Sequence, residues 1–140
     1  MTRVDFYILE PSAAQTRLQF AVRLTEKLYR DGLSVHLHSD DEQLLRTLDD
    51  SLWTARDISF IPHERADTPM TGCPVTLGNG DFDGTEQVLI NLANEAPPFF
   101  SQMERVVEII DRRADDVAQG RARYVFYRDR GYPLHNHNIK

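Results

Sequence analysis

The chain has 140 residues, 41% of them hydrophobic and 27% charged, with one cysteine and a formal net charge of −6. That is one domain's worth of chain with a sizeable core. No stretch approaches the roughly 20 apolar residues of a membrane span, Cys73 alone excludes an internal disulfide framework, and the acidic balance disfavours general attraction to nucleic acid.

Val4-Asp5-Phe6-Tyr7-Ile8-Leu9 is almost continuously apolar or β-prone and reads as a buried strand of the parallel-sheet kind. Ser12-Ala13-Ala14-Gln15 has the form of a capping box. Leu18, Ala21, Val22, Leu28 and Tyr29 follow at helical spacing, and Gly32 is placed to end that helix. Leu33, Val35 and Leu37 alternate with polar residues, predicting a second strand. Ser39-Asp40-Asp41-Glu42 repeats the device of a cap with acids in the first turn, and Leu44, Leu45, Leu48 and Leu52 carry a helix toward Trp53. Ser59-Phe60-Ile61-Pro62 reads as a short strand cut off by proline. Residues 64–73 read as a loop, Pro74-Val75-Thr76-Leu77 as a strand and the glycine-rich 78–84 as a turn. Val88 to Leu92 and Val106 to Ile110 are two further strands. A charged helix runs from about Arg113 to Arg130, stopped by Gly131 and Pro133, and a short polar tail follows. The alternation predicts an α/β class: one domain over residues 1–140, with a mainly parallel sheet flanked by helices.

The usual chemistry of such sheets is missing from the sequence. The first strand-to-helix turn, Glu10-Pro11-Ser12, has no glycine fingerprint for a phosphate. The acids at Asp40-Asp41 would repel one at the second. No nucleophile elbow occurs, and Cys73 lies in a predicted loop with no evident base. His135-Asn136-His137 is a weak His-x-His pair in the tail. The histidines of His36-Leu37-His38 are read as projecting to opposite faces of a strand. All five histidines are expected in surface or second-layer hydrogen bonding, with no metal, no cofactor and no catalytic residues.

Charge is uneven along the chain. Residues 121–140 carry five basic side chains against Asp129 alone, a local +4 that leaves −10 for the remainder. On the predicted last helix Val117, Arg121, Tyr124 and Arg128 share one face. Two readings fit: guanidinium groups around an aromatic ring to receive a carboxylate, with Ile110 and Lys140 completing the pocket, or a tyrosine packed on the sheet under snorkelling arginines. Trp53 with Phe60, Ile61 and Pro62 forms a second aromatic cluster, either core or a protein-interface anchor.

Several of these segments resemble the chi subunit of the bacterial DNA polymerase III holoenzyme. Leu52-Trp53 followed by Ser59-Phe60-Ile61-Pro62-His63 is similar to that family's Leu-Trp … Ser-Phe-Val-Pro-His. Arg121-x-Arg123-Tyr124-x-x-Tyr127-Arg128-x-x-Gly131-Tyr132 resembles its Arg-x-Arg-Tyr-x-x-Tyr-Arg-x-x-Gly-Phe. Phe6-Tyr7-Ile8-Leu9, Pro74-Val75 and Val88 to Leu92 fall in the same order. The resemblance implies a Rossmann-like domain without nucleotide and a cytoplasmic, non-catalytic subunit of the clamp-loader complex. It implies pairing with the psi subunit and binding of the acidic C-terminal tail of single-stranded-DNA-binding protein (SSB), with DNA met only indirectly. By position it assigns Arg121, Tyr124, Lys140 and Ile110 to the tail. Val117 and Val125 stand where enterobacterial members are basic, and Arg123 and Arg128 are the side chains available to compensate. Trp53, Phe60, Ile61 and Pro62 fall to the psi interface. The alternative is a small α/β nucleotide-binding protein or enzyme with an unrecognised site.

Overall fold

The computed structural model describes residues 2–54, 62–65, 74–80, 87–112 and 117–140, except the side chains of Trp53, Thr54 and Glu64. In chain order the elements are β1 (Arg3–Leu9), α1 (Arg17–Arg30), β2 (Val35–His38), α2 (Glu42–Thr54), β3 (His63–Arg65), β4 (Val75–Gly78), β5 (Val88–Asn91), a 3₁₀ turn (Phe100–Gln102), β6 (Arg105–Asp111), α3 (Val117–Asp129) and β7 (Leu134–Ile139). The seven strands form one sheet in the order β3-β4-β2-β5-β6-β1-β7, and every pair is parallel.

The α/β expectation is met, because each buried strand must hide both of its faces. On one face Leu9, Val35, Leu37, Val75, Leu77, Val88, Ile90, Val107 and Ile109 pack with α1 and α2 side chains such as Ala21, Leu28, Leu45 and Leu48. On the other, Val4, Phe6, Leu89, Val106 and Ile110 pack with Phe99, Phe100 and the α3 tyrosine Tyr127. The alternation read in β2 does not leave it half-exposed: all four of its residues are buried, since the strand is central and covered on both sides.

Three local outcomes differ from the sequence reading. The first helix begins four residues later than the Ser12 box. Its capping box is Thr16 with Gln19: the Gln19 amide donates to Thr16 Oγ1 at 3.2 Å, and the Thr16 amide donates to Gln19 Oε1 at 2.9 Å. Both tetrads satisfy the pattern; Ala13 is buried and its amide closes a turn on the Glu10 carbonyl at 2.8 Å, which occupies the first of them. The polar tail is a strand. Residues Val4 to Leu9 of β1 pair with Leu134 to Ile139 in register, and His137 stacks on Tyr7 with ring centroids 4.6 Å apart. The segment 59–61 lies outside the described residues, and β3 starts just after Pro62.

Both long connections end as sterics require. Gly32 and Gly131 take φ of +82° and +81°, each closing a helix with paired bonds back to the last turn. The Leu33 amide reaches the Leu28 carbonyl and the Tyr132 amide reaches Tyr127. Asp41 caps α2, its Oδ1 accepting from the Gln43 and Leu44 amides at 3.0 and 3.4 Å.

Candidate binding hollow between the last helix and the sheet

Helix α3 crosses β6 and β1 with Gly120 at its closest approach. A Cβ on Gly120 would stand 2.4 Å from Ile110 Cδ1 and 3.1 Å from its Cγ1, so any larger residue would force the Ile110 side chain to shift. Deeper in the same contact, Arg123 and Tyr127 meet Glu108. Arg123 Nε donates to Glu108 Oε1 at 2.7 Å. Tyr127 Oη and Asn91 Nδ2 donate to Oε2 at 2.6 and 2.9 Å. Arg123 also donates to the Asn94 carbonyl at 3.0 Å. Glu108 is fully buried and Arg123 only 3% exposed. Burial first, then the neighbouring Glu108 carboxylate, pushes the Tyr127 hydroxyl well above the ordinary phenol range, so it remains a donor.

On the α3 face of the sheet, beside this polar lock, lies a hollow of about 180 Å³. Phe6, Ile8 and Ile110 supply its sheet wall, Val117, Gly120 and Tyr124 its helix wall, and Arg112, Arg121 and Asn136 its polar margin. Tyr124 is half-buried and leans on Phe6, ring centroids 5.2 Å apart. Arg121 is exposed and forms no ion pair or hydrogen bond among the described residues. Arg112 holds Glu10 loosely at 3.4 Å. The arrangement is an apolar cleft with two guanidinium groups at its mouth, suited to a carboxylate attached to an apolar group.

The structure thus joins Ile110, Arg121 and Tyr124 in one place and separates the other predicted positions from it. Arg123 is corrected outright. It points inward, because residues 120, 123 and 127 form the face of α3 that packs on β6. Its guanidinium is occupied by Glu108. Arg128 is exposed but pairs with Asp129 at 3.3 Å and does not line the hollow. Lys140, exposed beyond β7, does not line it either. Of the second cluster, Pro62 is half-buried just before β3, the Trp53 backbone lies in the last turn of α2, and the Trp53 side chain, Phe60 and Ile61 fall outside the described residues.

Arg112, Gly120 and Asn136 escaped the sequence reading. Asn136 falls in the short polar tail of the sequence, where no pattern places it beside β1. The lone acid in Val106-Val107-Glu108-Ile109-Ile110 was the available signal for a buried cationic partner, since an unpaired carboxylate there would be prohibitively costly.

The histidines also need correction. His36, His38 and His63 are buried. His36 and His38 share a face, as residues two apart in a strand must, with rings 6.5 Å apart and Phe99 edge-on to both. His36 Nδ1 lies 2.7 Å from Thr76 Oγ1, and burial lowers the His36 pKa to about 3, with His38 adding to the effect. His137 is in β7, 3.0 Å from buried Asp5. Burial alone would raise the Asp5 pKa, but His137, Arg105 and Arg3 outweigh it and hold the carboxyl below its usual range. Among the described residues no three His, Cys, Asp or Glu side chains are grouped to hold a metal. No helix among them is long and apolar enough to cross a membrane.

Comparison with known proteins agrees with this architecture. The sequence model of the family described as DNA polymerase III chi subunit, HolC, matches residues 1–135. The DNA polymerase III subunit chi of Pseudomonas aeruginosa is 41% identical over 99% of this chain and 98% of its own. Those of Escherichia coli and Haemophilus influenzae are 26% and 25% identical, each over 96% of both chains. With the family pattern spanning nearly every element from β1 to β7, the chain belongs to the DNA polymerase III chi subunit family.

Proposed function

We propose that this protein is a non-catalytic accessory subunit of DNA polymerase III that links the replicase to SSB. The hollow under α3 takes the acidic C-terminal tail of that protein. The tail's terminal carboxylate meets Arg121, with Arg112 beside it, and its terminal aromatic side chain enters between Ile110, Val117 and Tyr124. Arg128 and Lys140, outside the hollow, attract the acidic run before it. The psi subunit docks through Trp53, Phe60, Ile61 and Pro62. The protein then meets DNA through its partners and works in the cytoplasm.

The observation that carries this reading is Arg121. It is a guanidinium without an ion-pair partner among the described residues, beside an apolar cleft, on a chain whose overall charge is −6. A free cation in that setting favours an anionic ligand with an apolar end. The test is a titration with a fluorescent peptide bearing an aspartate run and ending in Ile-Pro-Phe. Arg121→Ala should weaken binding by about 1.5–3 kcal/mol, the value of a hydrogen bond to a charged group. Affinity should fall with added salt. Unchanged affinity in Arg121→Ala would remove the hollow from the mechanism. Psi pairing is tested separately, by co-purification with Trp53→Ala.

A further inference from the structure

Strands β2 and β5 are neighbours, but the chain leaves them in opposite directions. From β2 it passes through α2 to β3 at one edge, and from β5 through the 3₁₀ turn to β6 on the other side. In an open parallel sheet that divergence leaves a crevice beyond the carboxyl ends of the two strands. Here the crevice has a volume of about 190 Å³, and His38, Asp40, Asn79, Glu95, Pro98 and Phe99 line it. It shares no lining residue with the hollow under α3. Its base is tied together by the backbone. The Leu92 amide donates to the His38 carbonyl at 2.7 Å and the Ser39 amide to the Gly78 carbonyl at 3.2 Å. Asn79 is steadied by donating to Glu42 at 2.9 Å.

His38 is the unusual member. It is only 5% exposed, yet its Nδ1 has no hydrogen-bond partner among the described residues. Its Nε2 stands 3.8 Å from Asp40, too far for a hydrogen bond, and Phe99 closes edge-on at 5.4 Å. Nδ1 is sealed from any donor among the described residues, so the nitrogen that can accept from a ligand in the crevice is Nε2, on the side of Asp40. Burial lowers the His38 pKa, against an opposing pull from Asp40, which favours a neutral ring. Among the described lining residues the charged groups are Asp40 and Glu95, with no lysine or arginine. A phosphate or carboxylate would be repelled.

We propose that this crevice binds an organic cation, a guanidinium or ammonium group, whose N–H donates to His38 and Asp40 while its carbon stem lies on Pro98 and Phe99. The source is either a free amine or a basic side chain of a partner protein.

The test follows the His38 ring nitrogens by ¹⁵N NMR in the full chain, assigned with His38→Gln. The probes are agmatine and spermidine for a free amine, acetyl-arginine-methylamide for a side chain, and AMP as the anionic control. A saturable shift is expected with at least one cation and none with AMP, and the tighter probe class identifies the source. Asp40→Asn, at an exposed position, should weaken binding roughly tenfold, the equivalent of one charge-assisted hydrogen bond. The proposal is overturned if no cation moves the His38 signals, if AMP does so instead, or if Asp40→Asn binds as tightly as the parent.

Discussion

Arg123→Met tests the polar lock beneath α3 most directly. The guanidinium and the Glu108 carboxylate are 2.7 Å apart and exposed by 3% and 0% respectively, so solvent screens neither. Removing one member of such a pair leaves a buried charge without its counter-ion, which costs about 3–5 kcal/mol. Glu108 would keep Tyr127 and Asn91 as donors, placing the expected loss toward the lower figure. A domain of this size has roughly 5–15 kcal/mol of total stability, so the variant should remain folded at low temperature with a clearly lower urea midpoint. The assay is urea unfolding followed by circular dichroism, repeated for Glu108→Gln and for the double variant. Because the two side chains touch, the double variant should lose less than the sum of the singles by about 2 kcal/mol or more. A loss under 1 kcal/mol in Arg123→Met, with additive doubles, would refute the claim that this pair pins α3 to β6. The same variant separates structure from recognition: once folded, it should bind the acidic peptide as the parent does, whereas Arg121→Ala should bind it more weakly.

Four further outcomes follow. His36 has a folded pKa of about 3 against an ordinary 6.5. The unfolded chain therefore binds the extra proton between those values, and stability should fall with decreasing pH by up to about 1.4 kcal/mol per unit in that window. Denaturation midpoints for His36→Phe should show a flatter acid limb. Gly120→Ala should cost about 1–3 kcal/mol and shrink the hollow, because the added methyl group meets Ile110 Cδ1 at 2.4 Å. Peptide affinity should drop with it, and an unchanged affinity would mean that the ligand does not use that wall. Deleting residues 134–140 removes the strand paired to β1 and should produce concentration-dependent association in size-exclusion chromatography, since an open β1 edge is a pairing template. Val125→Arg, at a 40% exposed site one turn beyond Arg121, should tighten binding of the acidic peptide by less than 1 kcal/mol, and the gain should vanish in high salt.

Much of the fold was legible because burial on both sides leaves a plain mark: β1, β5 and β6 are near-continuous apolar runs, and α1 and α2 carry apolar residues at helical spacing. The β7 strand left no such mark. Leu134 to Ile139 is rich in asparagine and histidine, residues that gain little from a pleated surface. Its place depends on main-chain bonds to β1, on His137, which stacks over Tyr7 and reaches Asp5, and on Leu134 and Ile139, which pack against the two cores. The candidate site was half legible. Spacing put Arg121 and Tyr124 on one face, and the hollow forms where they meet Ile110. The inward turn of Arg123 is not legible, because family motifs run along the chain while helix faces do not. Its partners at spacings three and four are Gly120 and Tyr127, and both point at the sheet. Arg112 and Asn136 join the margin only through strand order, which no local pattern encodes.

That β7 runs parallel to β1 has a practical side. The chain enters the sheet at one rim, at Arg3, and leaves it at the opposite rim, after Ile139. An affinity handle or fluorophore fused behind Lys140 therefore emerges on the rim that carries Arg112, at the margin of the cleft, where its bulk and charge would distort a titration. One fused ahead of Thr2 emerges at the far rim and leaves the cleft clear, so measurements of the acidic peptide are best made on protein labelled there.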